Sequence, residues 1–344
     1  MTLQPCGGRW GAATIIDSDP VHEVVRDAVY QPLHPSIFLD SYHGWGIYHR
    51  DGRLVQACAY YRLPDQALIG QCQHLPPPPD LASAPPGTYV YGGPVIMHYG
   101  HFLTAALPRL WQAVRRGLPP DAKIVCHSHE APEEWFGRDY IKTILGRLGL
   151  TPGHFVRFGA PTLIPRLHAP RPAMEEQNFA HRVFRDLCLH IGQPYQAPPS
   201  DRIIYLSKAR VTTGIYRLLN EDALEDAMRA SGIEVAYPET LPFAAQVGLL
   251  SGSAVVAGTV GSAFHTAIFC ARPPRVVALA YGPVLNANYA LMDGLTGCRA
   301  DYVHSPDVTM AEGAGTATFC YRAADPAALA RALIERIHSG PSSR

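Results

Sequence analysis

Ala254-Val-Val-Ala-Gly258-Thr-Val-Gly261-Ser262-Ala-Phe-His265 reads as a buried strand that breaks at a glycine-spaced turn and passes into a helix. The pattern repeats on either side of it. Strands are predicted at Arg202 to Ser207, Ile233 to Tyr237, Ala254 to Gly258 and Arg275 to Ala280, with helices at Glu221 to Ser231, Pro242 to Ser251 and Ser262 to Cys270. Alternation at this spacing predicts a parallel sheet covered by helices on both faces, with ligands beyond the carboxyl ends of its strands. Asn220 is a predicted N-cap with Glu221 and Asp222 in the first turn behind it, and Gly232 suits a left-handed stop. Asp325 and Pro326 open a last helix whose Leu329, Leu333 and Ile337 form an apolar stripe, ending near Gly340 and expected to dock back on the fold.

Upstream of this half the pattern is less regular. Short mixed strands are predicted at Trp10 to Ile16, Ile37 to Leu39, Gly46 to Tyr48, Leu54 to Arg62 and Thr88 to Gly92, and a buried strand at Lys123 to His127. A helix from Tyr99 to Arg116 carries Leu103, Leu107, Leu110 and Val114 at helical spacing and should kink at Pro108. Proline-rich stretches lie at His74 to Asp80, Ala84 to Gly87 and Gln193 to Asp201. The last of these is the expected boundary between an N-terminal domain, residues 1–195, and a C-terminal domain, residues 196–344.

With 344 residues, 47% of them hydrophobic and only 17% charged, the chain can bury a large core. Its 29 basic and 29 acidic residues cancel, so no overall positive field exists to hold nucleic acid or an anionic membrane. No apolar stretch is long enough to span a bilayer and no leader opens the sequence, which predicts a cytoplasmic protein whose only membrane role would be peripheral. Eight scattered cysteines without a Cys-x-x-Cys pair read as mostly buried, reduced thiols.

Several groups in this sequence can carry chemistry. The Gly258 to Ser262 turn could bring backbone N–H groups against a diphosphate, although glycines at such a turn also serve purely steric ends. Lys208, Arg210 and Arg217 follow the first strand of the regular half and could neutralise phosphate oxygens, or simply sit on a solvated loop. Glu239 follows the second strand and could bond ribose or sugar hydroxyls, or just favour the next helix start. His98 and His101 fall on one helix face, where a neutral imidazole would suit a general base. A metal site would need a third ligand such as His127 or His129, and a buried structural pair is the plain alternative. Asp17-Ser18-Asp19, the one Asp-x-Asp, precedes Pro20 and reads as a turn.

In order and combination, four stretches resemble the family 61 glycosyltransferases, which include bacterial enzymes of the capsular polysaccharide type and eukaryotic xylosyl- and N-acetylglucosaminyltransferases. They are Gly92-Gly93 with His98-Tyr-Gly-His-Phe-Leu103 and Leu107-Pro-Arg109; Tyr205-Leu-Ser-Lys-Ala-Arg210 with Asn220-Glu221; Glu239 with Gln246; and Gly258 to His265 with Phe269. The resemblance implies a GT-B-like α/β architecture of two Rossmann-like domains facing a cleft, the first on the acceptor side and the second binding the nucleotide-sugar. It also implies an inverting transfer of sugar, from a donor expected to be UDP-linked, to a glycan or other hydroxyl acceptor, with no obligatory metal. By the same match His101 is the candidate base, and Lys208, Arg210, Glu239, Gly261, Ser262 and His265 surround the donor. The family often has Asn in place of His98, Asp in place of Ala105, Arg in place of Lys208 and, in eukaryotic members, His in place of Val260. Two other readings of the same scaffold are a nucleotide- or glycan-binding protein without activity and a pyruvyltransferase-like enzyme whose donor is a phosphoenol.

Overall fold

The computed structural model describes residues 2–33, 44–119, 121–211, 214–312 and 319–339, so the strand expected at Ile37 to Leu39 lies outside the described residues. The chain divides into two compact units, one of Gly11–Ile191 and one of Gly192–Arg344 together with Met1–Trp10.

The second unit is built on a six-stranded sheet. Its parallel strands lie side by side in the order Glu234–Ala236, Ile203–Leu206, Val255–Thr259, Arg275–Ala280 and Ala300–His304, and Gln4–Pro5 closes the far edge antiparallel. The order of the chain reverses between Ile203–Leu206 and Val255–Thr259, which makes the gap beyond their carboxyl ends the topological switch point of a doubly wound sheet. The strands read as apolar runs because helices cover them. Leu224 and Met228 of the Glu221–Ala230 helix and Leu329, Leu333 and Ile337 of the Pro326–His338 helix share one core with Tyr205, Ala257, Val277 and Leu279. The apolar stripe of the last helix is thus buried within this unit. Its cap is the expected one: Asp325 accepts from the Ala328 N–H, with Pro326 at the first helical position.

Two sequence readings change here. Asn220 precedes its helix but does not cap it; its amide instead exchanges two hydrogen bonds with the Ala323 backbone, at 2.9 and 3.1 Å, and ties down the Phe319–Ala323 strand. The segment expected as an α-helix after the glycine turn is a 3-10 helix, Ser262–Phe269. Its residues from Phe264 onward are buried on every side, and the tighter winding fits that confinement better than a stripe-faced α-helix would. Gly232, by contrast, has the left-handed φ of +77° that its place after the helix requires.

The first unit holds a mixed sheet in the order Phe155–Val156, Lys123–His127, Tyr89–Pro94, Thr162–Pro170, His22–Gln31 and Gly46–Tyr48, with Ala82–Ser83 also on Thr162–Pro170. Pairing is parallel up to Thr162–Pro170 and antiparallel beyond it. The two long strands in the middle are absent from the sequence reading for a physical reason. Pro165 and Pro170 deny one of them backbone donors, and Asp27 in the other stands at the gap opposite Pro165 with φ +50°. Leu54 to Arg62 is likewise not one strand: a 3-10 turn, Gln56–Cys58, interrupts it before Tyr61–Arg62.

The helix expected from Tyr99 to Arg116 changes winding three times: α over Tyr99–His101, π over Phe102–Ala106, 3-10 over Leu107–Leu110 and α again over Gln112–Arg115. Pro108 has no N–H to give an i→i−4 bond, and the winding changes around it, from the wide π turn just before to the 3-10 turn that holds it. None of the eight cysteines forms a disulfide, and Cys58, Cys126, Cys188, Cys270 and Cys320 are buried. No helix among the described residues is long and apolar enough to cross a membrane.

Candidate functional site

At the switch point of the second unit, Lys208 turns back over the end of the neighbouring strand. Its ammonium donates to the carbonyl oxygens of Tyr216 at 2.9 Å and Val260 at 3.2 Å and lies 5.7 Å from the centre of the Tyr281 ring. Burial lowers its pKa and the nearby Glu221 opposes that shift. Two carbonyls leave the third N–H of the ammonium available to an anion. Gly261 matters because it is small rather than because of its φ of −174°, which is extended backbone: a side-chain carbon there would lie 3.3 Å from Lys208 Cδ. Ser262 follows, half-buried, as the first residue of the 3-10 helix. That short helix offers unpaired N–H groups but little of the aligned dipole of a long α-helix. The positive charge of this crevice therefore comes chiefly from Lys208.

Gly258 is a packing residue. Its φ is +156°, and a side-chain carbon would lie 2.5 Å from the Leu206 carbonyl oxygen in the adjacent strand. Arg210 lies toward the other side of the Ile203–Leu206 strand, with its guanidinium 3.6 Å from the centre of the Tyr237 ring. Glu239 is nearby: burial raises its pKa and the charge of Arg210 opposes the rise. The turn that carries Glu239 is tied by Gln246, whose amide donates to the carbonyls of Pro238 and Leu241 at 2.9 and 3.0 Å. Arg217 is placed differently. It lies on the strand Tyr216–Leu218, and alternation along a strand directs it away from the face on which Tyr216 stacks on Tyr281. His265 is buried against Tyr289, with ring centres 4.9 Å apart, in the wall behind the turn. The crevice thus gathers Lys208, Gly261 and Ser262, flanks them with Arg210 and Glu239, and leaves Arg217 and His265 outside it.

Glu221 underlies this arrangement. Buried to 1% exposure, it accepts from the Tyr205 hydroxyl at 2.9 Å, the Thr259 hydroxyl at 3.3 Å and the Lys208 backbone N–H at 3.3 Å. It links the ends of both strands at the switch point. Burial pushes its pKa up to about 7, against the pull of Tyr205 and Lys208. The sequence places Glu221 in the first turn of its helix, where the dipole favours a carboxylate; the missed signal is that 221, 224, 225 and 228 form one helical face, all of it buried.

In the first unit, His98 and His101 come together as their spacing predicts, with ring centres 5.2 Å apart. Desolvation and the His101 ring lower the His98 pKa, and Glu176 opposes the shift. His101 Nδ1 lies 3.2 Å from Oε1 of Glu176. Glu176 also accepts from Thr104 Oγ1 at 2.5 Å and Tyr60 OH at 2.9 Å and is ion-paired with Arg62. Burial would push this carboxyl up, but His101, Arg62 and Thr104 together hold it down at about 2. Glu176 projects from a tight turn between Met174–Glu175 and Phe179–His181, in which Gln177 takes φ +61°. Nothing in the sequence pairs that turn with a histidine 75 residues away.

Other expected or family-matched residues are structural. Arg109 is buried to 2% exposure and donates to the carbonyls of Ala57, Ala59 and Pro170, and Gly93, at φ +82°, leaves room for its side chain. His127 is fully buried, stacked on Tyr30 at 4.4 Å and bonded to the Gln31 carbonyl and Tyr91; burial takes its pKa down to about 3. It therefore supplies no third ligand to His98 and His101, and among the described residues no group of three His, Cys, Asp or Glu is placed to hold a metal ion. Asp17 and Asp19 pair with Arg182 and Arg115. A separate cavity of about 460 Å3 in this unit is lined by Asp19, His22, Trp111, Arg116 and His168 among others, and includes neither His98 nor His101.

No curated protein matches the chain. A family model described as Glycosyltransferase 61 matches residues 99–277, a span that starts at the helix of His101 and takes in the whole Lys208 crevice. Because that match covers more than half of its length, the chain belongs to glycosyltransferase family 61 and is a glycosyltransferase.

Proposed function

We propose that this glycosyltransferase is an inverting enzyme that moves a sugar from a UDP-linked donor to a hydroxyl of a glycan acceptor, in polysaccharide synthesis of the capsular type. The observation that carries the reading is the Lys208 ammonium held beside Gly261 and Ser262 at the switch point of a doubly wound sheet. A leaving diphosphate gains charge as the glycosidic bond breaks, and a preplaced cation with backbone N–H groups stabilises that charge more than it does the ground state. Lys208, with Arg210 beside the crevice, is positioned for the task that a divalent cation performs elsewhere, so no metal is obligatory for the donor. Glu239 is assigned to donor hydroxyls.

In the reaction, the acceptor oxygen attacks the anomeric carbon in line and its proton passes to Nε2 of His101, while the bond to the nucleoside diphosphate breaks with the electron pair leaving on phosphate oxygen. Configuration at the anomeric carbon inverts. By the GT-B-like reading, the unit of Gly11–Ile191 carries the acceptor side and the unit of Gly192–Arg344 the donor side.

A thermal-shift panel of nucleotides in the presence of EDTA tests the binding half. UDP is expected to raise Tm by mass action. Lys208→Ala should weaken UDP binding by roughly 10-fold or more, the loss of about 1.5–3 kcal/mol for a hydrogen bond to a charged group. No shift with any nucleotide, or an unchanged UDP affinity in Lys208→Ala, contradicts the proposal.

A further inference from the structure

We propose that Glu176 is the positioning residue for His101: its carboxylate accepts from Nδ1–H and so fixes the tautomer that leaves Nε2 free to take a proton. The proposal rests on the reading of His101 as the base.

The geometry of the carboxylate supports it. Oε1 receives Thr104 at 2.5 Å and faces His101 Nδ1 at 3.2 Å; Oε2 receives Tyr60 OH at 2.9 Å and pairs with Arg62. Four partners fill the acceptor capacity of a carboxylate, so this one, 4% exposed, is fixed in place and cannot itself be the base. Arg62 Nη2, 3.5 Å from His101 Nδ1, could donate to a bare Nδ1, but at that distance it is a weaker contact than the carboxylate oxygen at 3.2 Å. If Nδ1 carried its lone pair, that lone pair would face an ionised oxygen at 3.2 Å; if it carries the proton, the contact is a charge-assisted hydrogen bond. The second arrangement is the stable one, because the ion pair with Arg62 keeps the carboxylate ionised.

Ala105 supplies an independent way to test this. It stands four residues after His101 on the same helix, and it lines, with Glu176, Thr104 and Tyr60, a cavity of about 10 Å3. That space is too small for an extra carboxylate while the Glu176 side chain is present. Removing the side chain makes room for one, so Glu176→Ala combined with Ala105→Asp moves the charge to a second wall of the same cavity, four residues along the helix from His101.

The experiment uses the full chain labelled with 15N-histidine, with the His101 signals assigned by their loss in His101→Gln. Long-range 1H–15N spectra near pH 8 are expected to show Nδ1–H in the wild type, a mixture or Nε2–H in Glu176→Ala, and Nδ1–H again in the double variant. Glu176→Met, similar in length but without an acceptor oxygen, gives the same readout if the alanine variant does not fold. In parallel, UDP release from a panel of UDP-sugars should show Glu176→Ala lowering kcat by roughly 100-fold, the low end of what a positioned base contributes, with KM little changed. The double variant should recover at least about 10-fold of that loss. A wild type protonated on Nε2, or a tautomer indifferent to Glu176, overturns the proposal. Full turnover in His101→Gln alongside the expected tautomer changes overturns instead the assignment of the base.

Discussion

Glu175 and Glu176 are neighbours in sequence, both buried, and their pKa values shift in opposite directions. Burial raises Glu175, with only Asn178 and more distant arginines opposing it, whereas His101, Arg62 and Thr104 overcome burial at Glu176. Glu221 resembles the first case. Its pKa rises from 4.5 to about 7 on folding, so between those pH values the folded chain holds a proton that the unfolded chain has lost. Its contribution to stability therefore falls as pH rises from about 4.5 to about 7 and stays flat above. Urea midpoints of Glu221→Gln and wild type across pH 5 to 8 should show a wild-type decline that the variant lacks at this site; parallel profiles would contradict it. Glu176 has the reverse sign: it stabilises above about 4.5, and that contribution is lost as pH falls toward about 2. At this scale the sequence showed the cations and imidazoles, whose types and local spacing announce chemistry. It could not show Glu176 or the Glu221 hydrogen bonds, because those partners meet only through tertiary contacts.

The two glycines of the turn between strand and 3-10 helix have different tasks, although the sequence presents them as one motif. Gly258 sits at φ +156° with the Leu206 carbonyl 2.5 Å from where a side chain would begin. Gly258→Ala should cost about 1–3 kcal/mol, read as a lowered urea midpoint. Gly261→Ala should leave that midpoint within about 0.5 kcal/mol of wild type while weakening UDP binding, because the added carbon crowds Lys208 Cδ at 3.3 Å. Equal destabilisation by both would contradict the division. Four parallel strands of the second unit were legible, most plainly Val255–Thr259 and Arg275–Ala280, which burial makes continuous apolar runs, whereas Ala300–His304, with Asp301 and His304 in it, was not. Nor was Thr162–Pro170, because its prolines argue against a strand; Pro165 falls at a gap opposite the left-handed Asp27, and Pro170 at the strand end. The winding of the His101 helix was hidden for the same reason: Pro108 announces a disturbance, but not that a π turn will precede it.

Across the whole chain, the family match from residue 99 to residue 277 takes in parts of both compact units. In the proposed scheme the His101 imidazole comes from one unit and the Lys208 crevice from the other, which assigns proton transfer and nucleotide binding to separate stretches of sequence. The pairing of Gln4–Pro5 and Gly8–Trp10 with the second unit had no local signal, since such short edge strands are specified by the sheet they join. The division of labour is open to one direct measurement: UDP affinity and UDP-sugar turnover, determined side by side for wild type, His101→Ala and Lys208→Ala. The account predicts that His101→Ala keeps UDP affinity within about twofold while losing roughly 10²–10⁴ in kcat, and that Lys208→Ala weakens UDP binding itself. Undiminished turnover in His101→Ala, or a loss of UDP affinity in that variant equal to the loss in Lys208→Ala, would contradict it.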